Sequence, residues 1–444
     1  MEAMQHLFGS AASLLLGEPP DASVIHDVHL LLTELGYAVP AGMEPDPGTR
    51  HRARLLQAAS QLIRIFELAA PDAPGLVAFG AEFDPAIADA LHRGSPLVGV
   101  SGIGRTLQEA FQGCVGEAIE YLSQLQRADD TLIAARGVAP AATLDLAARE
   151  LISALIDSNA GSSWHRAFGL SDRREVMLPA DLCLRRPQRA QEFAAPFPLS
   201  IGSAAGTSWE GAALHGLLEL IERDAASLWW RGGSRGRAVP PDVETAAQTL
   251  LRELRADAKT GRRSWLLDIT TDIGIPAVAA LSCRPDGFGL AFGLAARPTL
   301  QAAARSAVLE LCQIELALAV VEAKRRERGD AALNARDRSH LQRATAIDAN
   351  VCLLLHPVPG NPEHVGVDAS DVQVALHQIV RRLSELGIEA YGLDLTRPHF
   401  SVPVARVIAP ALQAEPSQFV TARLAGMIAK TGGGELHNGG ISLI

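Results

Sequence analysis

"SAAGTSWEGAALHGLLELIERDA", residues 203–225, has the apolar period of an α-helix, yet it places Glu219, Glu222 and Arg223 where core residues would bury more easily. Taken alone, such a face reads as solvated, with a local ion pair. The chain contains two more stretches of the same build: "SGIGRTLQEAFQGCVGEAIEYLS" (101–123) and "AARPTLQAAARSAVLELCQIELA" (295–317). Each has a hydroxyl residue suited to N-capping (Thr106, Ser208, Thr299) and an alanine four residues on (Ala110, Ala212, Ala303). Glutamate follows seven residues later (Glu117, Glu219, Glu310). Three positions further come Glu120, Glu222 and Gln313.

Seven residues are close to two helical turns, so each alanine shares a face with its glutamate. The residue three before each glutamate is also small (Cys114, Gly216, Ala307), leaving room for another backbone or a ligand. Three helices that each present an acidic or amide pair beside a shaved surface are better explained by one shared charged ligand than by three independent solvated faces. Five glutamates brought together repel unless cations neutralise them, and Mg2+ takes carboxylate, water and phosphate oxygens. The expected ligand is therefore a Mg2+-bound nucleotide. Glycines before two of the helices (Gly102, Gly104, Gly202, Gly206) would let backbone N–H groups approach phosphate, with Ser101, Arg105 and Ser203 as further donors.

The rest of the chain sets bounds. Its 444 residues suffice for one large domain or two to three smaller ones, and the net charge of -10 comes without a basic run interleaved with aromatics, against a nucleic-acid surface. Cys114, Cys183, Cys283, Cys312 and Cys352 are widely spaced and form no C-x-x-C pair, which points to a reduced, cytoplasmic compartment rather than zinc or disulfides. The start, "MEAMQHLFGSAASLLLGEPPD", lacks the basic region of a signal peptide. No apolar run reaches the roughly 18 residues of a membrane span.

Residues 1–82 read as a helical N-terminal region and 83–444 as the catalytic domain. In the latter, helices alternate with the β-rich segments "SWLLDI", "IPAVAALSC", "GLAFGLA" and "VCLLLHP", a mixed α/β, α+β architecture. "LLDITTDIGIPAVAALS" (266–282) and "GLDLTRPHFSVPVARVIAP" (392–410) are a second internal repeat, expected as two hairpins in one sheet system. "EAKRRERGDAALNARDRSH" reads as an exposed helix end and loop. "GMIAKTGGGE" fails the phosphate-loop pattern because Ala429 precedes Lys430, and reads as a flexible C-terminal loop. No nucleophile elbow, H-E-x-x-H or evident Cys–His pair is present, and His215 reads as a packed residue. No catalytic base is assigned.

These stretches, together with "LDLTRPHFSVPVARVIAP", resemble the YcaO family, ATP-dependent cyclodehydratases of ribosomally made peptides, from about residue 83 to the C-terminus. The family motif S-x-x-E-x-x-E-R is matched by Cys114-x-x-Glu117-x-x-Glu120-Tyr121, which departs at both ends, and by Gly216-x-x-Glu219-x-x-Glu222-Arg223, which keeps the charged part. The resemblance implies a YcaO-type fold around an ATP/Mg2+ site. It implies ATP binding by Glu117, Glu120, Ser203, Glu210, Glu219, Glu222, Arg223, Glu310 and Gln313. Mg2+ would be held by Glu117, Glu120, Glu219, Glu222 and Glu310.

The implied reaction is cyclodehydration. A Cys, Ser or Thr side chain attacks the preceding carbonyl, and ATP phosphorylates the oxygen so that it can leave, giving an azoline. Thioamide or amidine formation, or a non-catalytic nucleotide-binding scaffold, are the alternatives. The implied partners are a ribosomal precursor peptide, a leader-binding protein, and either a flavin-dependent dehydrogenase or a TfuA-like protein, with a homodimer left open. Many members end in P-x-P-x-P, whereas this chain ends "HNGGISLI".

Overall fold

A computed structural model describes residues 2–39, 44–157, 161–256, 261–360 and 363–443, so the final Ile444 of the "HNGGISLI" stretch lies outside the described residues. Three helices open the chain: α1 (Glu2–Leu15), α2 (Ile25–Glu34) and α3 (Pro47–Ala59), the last N-capped by Asp46. They pack through Phe8, Leu15, Leu32 and Leu56 into a core shared with the helix that carries Glu117. The strands β1 (Arg64–Glu67) and β2 (Val77–Phe83) follow, so the region expected to be helical also contributes two strands of a three-stranded sheet, completed by β3 (Val98–Gly104).

Helix α4 (Leu107–Gln124) leaves β3 directly. Next come β4 (Ile133–Arg136), α5 (Leu146–Leu155), β5 (Gly161–Gly169), β6 (Glu175–Pro179) and the short α6 (Ala180–Cys183). The second unit is β7 (Ser203–Ala205) and α7 (Trp209–Trp230). After α8 (Pro241–Leu254) and the strands β8 (Arg263–Asp268), β9 (Ala277–Cys283) and β10 (Ala291–Ala296), the third long helix is α9 (Leu300–Arg328). The chain closes with α10 (Ala335–Ala346), α11 (Val372–Glu385), β11 (Tyr391–Asp394), β12 (Val404–Ile408), α12 (Ala422–Thr431) and α13 (Glu435–Asn438).

The strands form three sheets of order β1-β2-β3, β4-β5-β11-β12-β7 with β6 on β5, and β10-β9-β8, a mixed α+β fold with antiparallel pairing in every named ladder. Each of the three sheets ends in an edge strand, β3, β7 or β10, that feeds one of the three acidic helices. The anticipated N-caps are in place. Thr106 accepts from Glu109 N–H, Ser208 from Gly211 and Thr299 from Ala302.

Four expectations are corrected. The repeat hairpins form, but β8–β9 and β11–β12 sit in different sheets, because β9 pairs with β10 while β11 and β12 pair with β5 and β7. "VCLLLHP" is a 3-10 turn at Leu353–Leu355 rather than a strand. "GMIAKTGGGE" is the last turns of α12, stopped by Gly432 in the left-handed region at φ 90°. His215, expected to be a packed residue, has exposed surface on α7, although its surroundings still lower its pKa through burial. All five cysteines are buried and free, and no helix among the described residues is long and apolar enough to cross a membrane.

Candidate nucleotide and metal site

The small residues flanking the glutamates have a backbone explanation. Gly102 of β3 lies so close to α4 that a Cβ there would come within 2.1 Å of Cys114 N, and one on Gly293 of β10 within 2.1 Å of Ala307 O. In the second unit Gly216 itself meets Gly202, whose O would lie 2.5 Å from an added Cβ. Strand and helix backbones therefore touch where Cys114, Gly216 and Ala307 stand. Close backbone packing therefore accounts for glycine at Gly102, Gly216 and Gly293.

That contact brings each glutamate to an open sheet edge. Ser101 N–H donates to Glu117 Oε2 at 3.1 Å, Gly202 N–H to Glu219 Oε2 at 3.1 Å, and Leu294 N–H to Glu310 Oε2 at 2.8 Å. Three edge amides, free because no further strand pairs there, are thus each met by a carboxylate. Gln313 Nε2 donates to Ser101 Oγ at 3.1 Å, tying the third unit to the first.

The carboxylates form one electrostatic group. Burial pushes Glu117, Glu120, Glu219 and Glu310 above the ordinary range; Glu219 adds to the rise at Glu117, Glu120 and Glu310. Glu222, 6% exposed, is pushed up to about 8, chiefly by burial, with Glu310 and Glu219 adding to it and Arg223 opposing. Glu117 is nevertheless accessible to solvent. Arg223 Nη2 lies 3.5 Å from Glu219 and 3.6 Å from Glu222. Its buried Nε has no protein partner.

Several contributors had no motif to announce them. Arg406 on β12 is fully buried, donates to the carbonyls of Leu182 and Ile201 and to Ser203 Oγ, and bears electrostatically on Glu120 and Glu219. Arg297, just before α9, acts on Glu222 and Glu310, and Arg336 of the charged segment acts on Glu117. Arg185 lies 4.3 Å over the ring of Tyr121, beside Glu120. A guanidinium thus stands next to the one motif position where arginine is replaced. Its only sequence signal is the Cys183-Leu-Arg-Arg run, which carries no spacing rule.

Three residues expected at the site have other engagements or positions. Glu210 occupies the first turn of α7, nine residues and about 13 Å of helix from Glu219, and among the described residues no hydrogen bond or ion pair joins it to the carboxylate group. Ser203 gives its hydroxyl to Leu199 O and accepts from Arg406, so its side chain is spoken for within the fold. Arg105 turns away to Glu253 on α8 at 2.8 Å.

The donor set suits Mg2+ with a polyphosphate. Among the described residues no three His, Cys, Asp or Glu side chains are already arranged to hold a metal by themselves. Mg2+ commonly takes one or two carboxylates, completing its octahedron with water and phosphate. Carboxylates that raise one another's pKa, alongside an arginine with an unused buried N–H, are the chemistry such a ligand would satisfy.

A family model described as YcaO cyclodehydratase, ATP- and Mg2+-binding, matches residues 101–413, an interval that begins at the Ser101 amide bound by Glu117. The chain belongs to the YcaO family. ATP and Mg2+ are the ligands of this domain. A YcaO from Methanopyrus kandleri, bound with AMPPCP and Mg2+, shares the fold at TM-score 0.53 and 19% identity, over 83% of this chain and 91% of that one. A heterocyclase in complex with substrate and cofactor matches at TM-score 0.68 and 23% identity, over 87% of this chain. The match covers 55% of that heterocyclase, so this YcaO chain spans about half its length. An uncharacterised protein in the tfuA 3′ region of Rhizobium leguminosarum bv. trifolii is 31% identical over 233 residues, 49% of this chain and 53% of that protein.

Proposed function

We propose that the protein is an ATP-dependent enzyme that modifies backbone amides of a ribosomal precursor peptide, forming azolines by cyclodehydration. The observation that carries this reading is the convergence of Glu117, Glu219 and Glu310, each on a sheet-edge amide, with Glu120, Glu222, Arg223 and Gln313 beside them. ATP supplies the phosphoryl group that turns the amide oxygen into a leaving group. In this reading Glu117, Glu120, Glu219, Glu222 and Glu310 hold Mg2+, and Arg223 and Gln313 orient the nucleotide. The chain's task is positioning and charge neutralisation, with the nucleophile belonging to the peptide. The Arg185 guanidinium over Tyr121 supports an active site rather than a scaffold, because it restores a positive charge beside the first carboxylate pair.

A second reading, thioamide formation with a TfuA-like partner, is favoured by the relative in the tfuA 3′ region. It uses the same nucleotide site with a sulfur nucleophile. Reconstitution separates the two: the purified chain, a precursor peptide, Mg2+-ATP and either a leader-binding protein or a TfuA-like protein, read by peptide mass. Loss of water marks the azoline, and exchange of oxygen for sulfur marks the thioamide. An unmodified peptide in every combination, with no ATP consumed, would refute both.

A further inference from the structure

A cavity of about 920 Å3 opens between the C-terminal end of α7, the Thr270–Gly274 turn, α11 and α12. It is separate from the carboxylate site. At 100° per residue, Leu228, which lines it, lies half a turn around α7 from Glu219.

Its charge is unusual for a chain of net charge -10. Five cations line it: Arg235, Arg237, Arg382, Arg423 and Lys430. Two are committed within the fold. Arg423 binds Asp224 at 2.8 Å and Asp272 at 2.6 Å, while Arg382 donates to the carbonyls of Ile273 and Asp272 and lies 3.7 Å from Glu385. Arg235, Arg237 and Lys430 form no ion pair among the described residues; Arg235 gives Nη2 to His356 O at 3.1 Å, while its buried Nε has no hydrogen-bond partner. Beyond Asp272, Glu363 is the one other carboxylate of the lining.

Three cations without a carboxylate partner facing one space, Arg237 and Lys430 with no side-chain bond among the described residues and Arg235 with its Nε unused, select an anion, and guanidinium forks suit carboxylate oxygens. The volume exceeds that of a single small anion. Among the described residues no aromatic side chain lines it, so they offer no stacking surface for a nucleobase, while Val358, Val365 and Met427 offer apolar wall. We propose that this cavity binds an acidic stretch of peptide, carboxylate side chains on Arg235, Arg237 and Lys430 and the aliphatic chain along Val365 and Met427. The identification of that peptide with the enzyme's own substrate rests on the function proposed above; the binding chemistry does not.

The test uses the full chain, without nucleotide, and two fluorescein-labelled peptides of equal length, one alternating Glu with Ala and one alternating Lys with Ala. Anisotropy should show saturable binding of the Glu peptide alone, weakening as salt rises. The double variant Arg237→Gln/Lys430→Gln should lose roughly tenfold in affinity, each pair being a charge-assisted contact. Its fold is protected: Lys430 is exposed, and Arg237 holds its neighbour Asp268 through backbone bonds of 2.9 and 2.8 Å. Equal binding of the Lys peptide, undiminished binding by the double variant, or binding of inorganic phosphate without the Glu peptide would each overturn the proposal. Mg2+-ATP binding is measured in parallel on wild type and variant and should be equal. Its absence from the wild type would remove the proposed function, whereas its presence without Glu-peptide binding would remove the cavity proposal alone.

Discussion

Arg223 reaches both Glu219, four residues before it, and Glu222, its immediate neighbour, at 3.5 and 3.6 Å. One guanidinium therefore serves two carboxylates, and burial, with the Glu310 and Glu219 charges adding to it, still holds Glu222 raised to about 8. The residual repulsion is what a bound cation would relieve.

Glu219→Gln and Glu310→Gln should each lower turnover by roughly 100-fold, the scale of losing one charge-stabilising group at a reacting centre. The glutamine oxygen can still accept the Gly202 or Leu294 N–H, so the sheet edge stays satisfied. Without ligand the variants should melt no lower than wild type, since each relieves like-charge crowding. Wild-type turnover in both would make the repeat purely structural.

A pH dependence follows from Glu222, which burial raises from 4.5 to about 8. The folded protein holds a proton that the unfolded chain releases. This contribution to the stability of the ligand-free protein is fully present below the unfolded value and is lost as pH rises through about 8. Mg2+ competes with that proton, so stabilisation by Mg2+-ATP should grow across the same interval. Melting curves at stepped pH, with and without Mg2+-ATP, check this. Glu222→Gln should flatten the ligand-free slope, and a slope unchanged by that substitution would refute the assignment.

Arg185→Met should weaken Mg2+-ATP binding by roughly tenfold, about 1.4 kcal/mol, through loss of a cation beside Glu120. Adding Tyr121→Arg in the same chain should recover most of the loss. Calorimetric titration of the two variants decides it, and failure of the second change to rescue would show that Arg185 serves only to pack on Tyr121.

Gly293→Ala should destabilise the fold by about 3 kcal/mol, because its Cβ would meet the backbone of Ala307 and Leu311 at 2.1 and 2.2 Å. Gly116→Ala on α4, where a Cβ meets nothing within 4 Å, should instead stabilise by about 0.5–1 kcal/mol. Chemical denaturation of the pair distinguishes close approach from mere helix propensity.

The three acidic helices were legible in the sequence because their features are local: a cap, a small residue and a glutamate recur at fixed offsets within a few turns. The strand-to-glutamate bonds follow from the same short range, each spanning 16 or 17 residues. Arg185, Arg297, Arg336 and Arg406 were not legible. Their action on the carboxylates depends on how distant segments cross, and a lone arginine carries no periodic mark. Sheet membership failed for a related reason. The hairpins β8–β9 and β11–β12 look alike along the chain, and only their outer partners, β10 against β5 and β7, divide them. The N-terminal strands β1 and β2 were hidden by the strong helical period preceding them.

The bond from Gln313 to Ser101 joins groups 212 residues apart. During synthesis the first acidic helix leaves the ribosome long before its counterpart exists, and it waits as an incomplete surface while the intervening sheets assemble. Under the function proposed above, the site can assemble only once the chain has been made through Gln313 of α9. A fragment ending before α9 would carry Glu117–Glu120 and Glu219–Glu222 but neither Glu310 nor Gln313, so the proposed site would stand without its third helix.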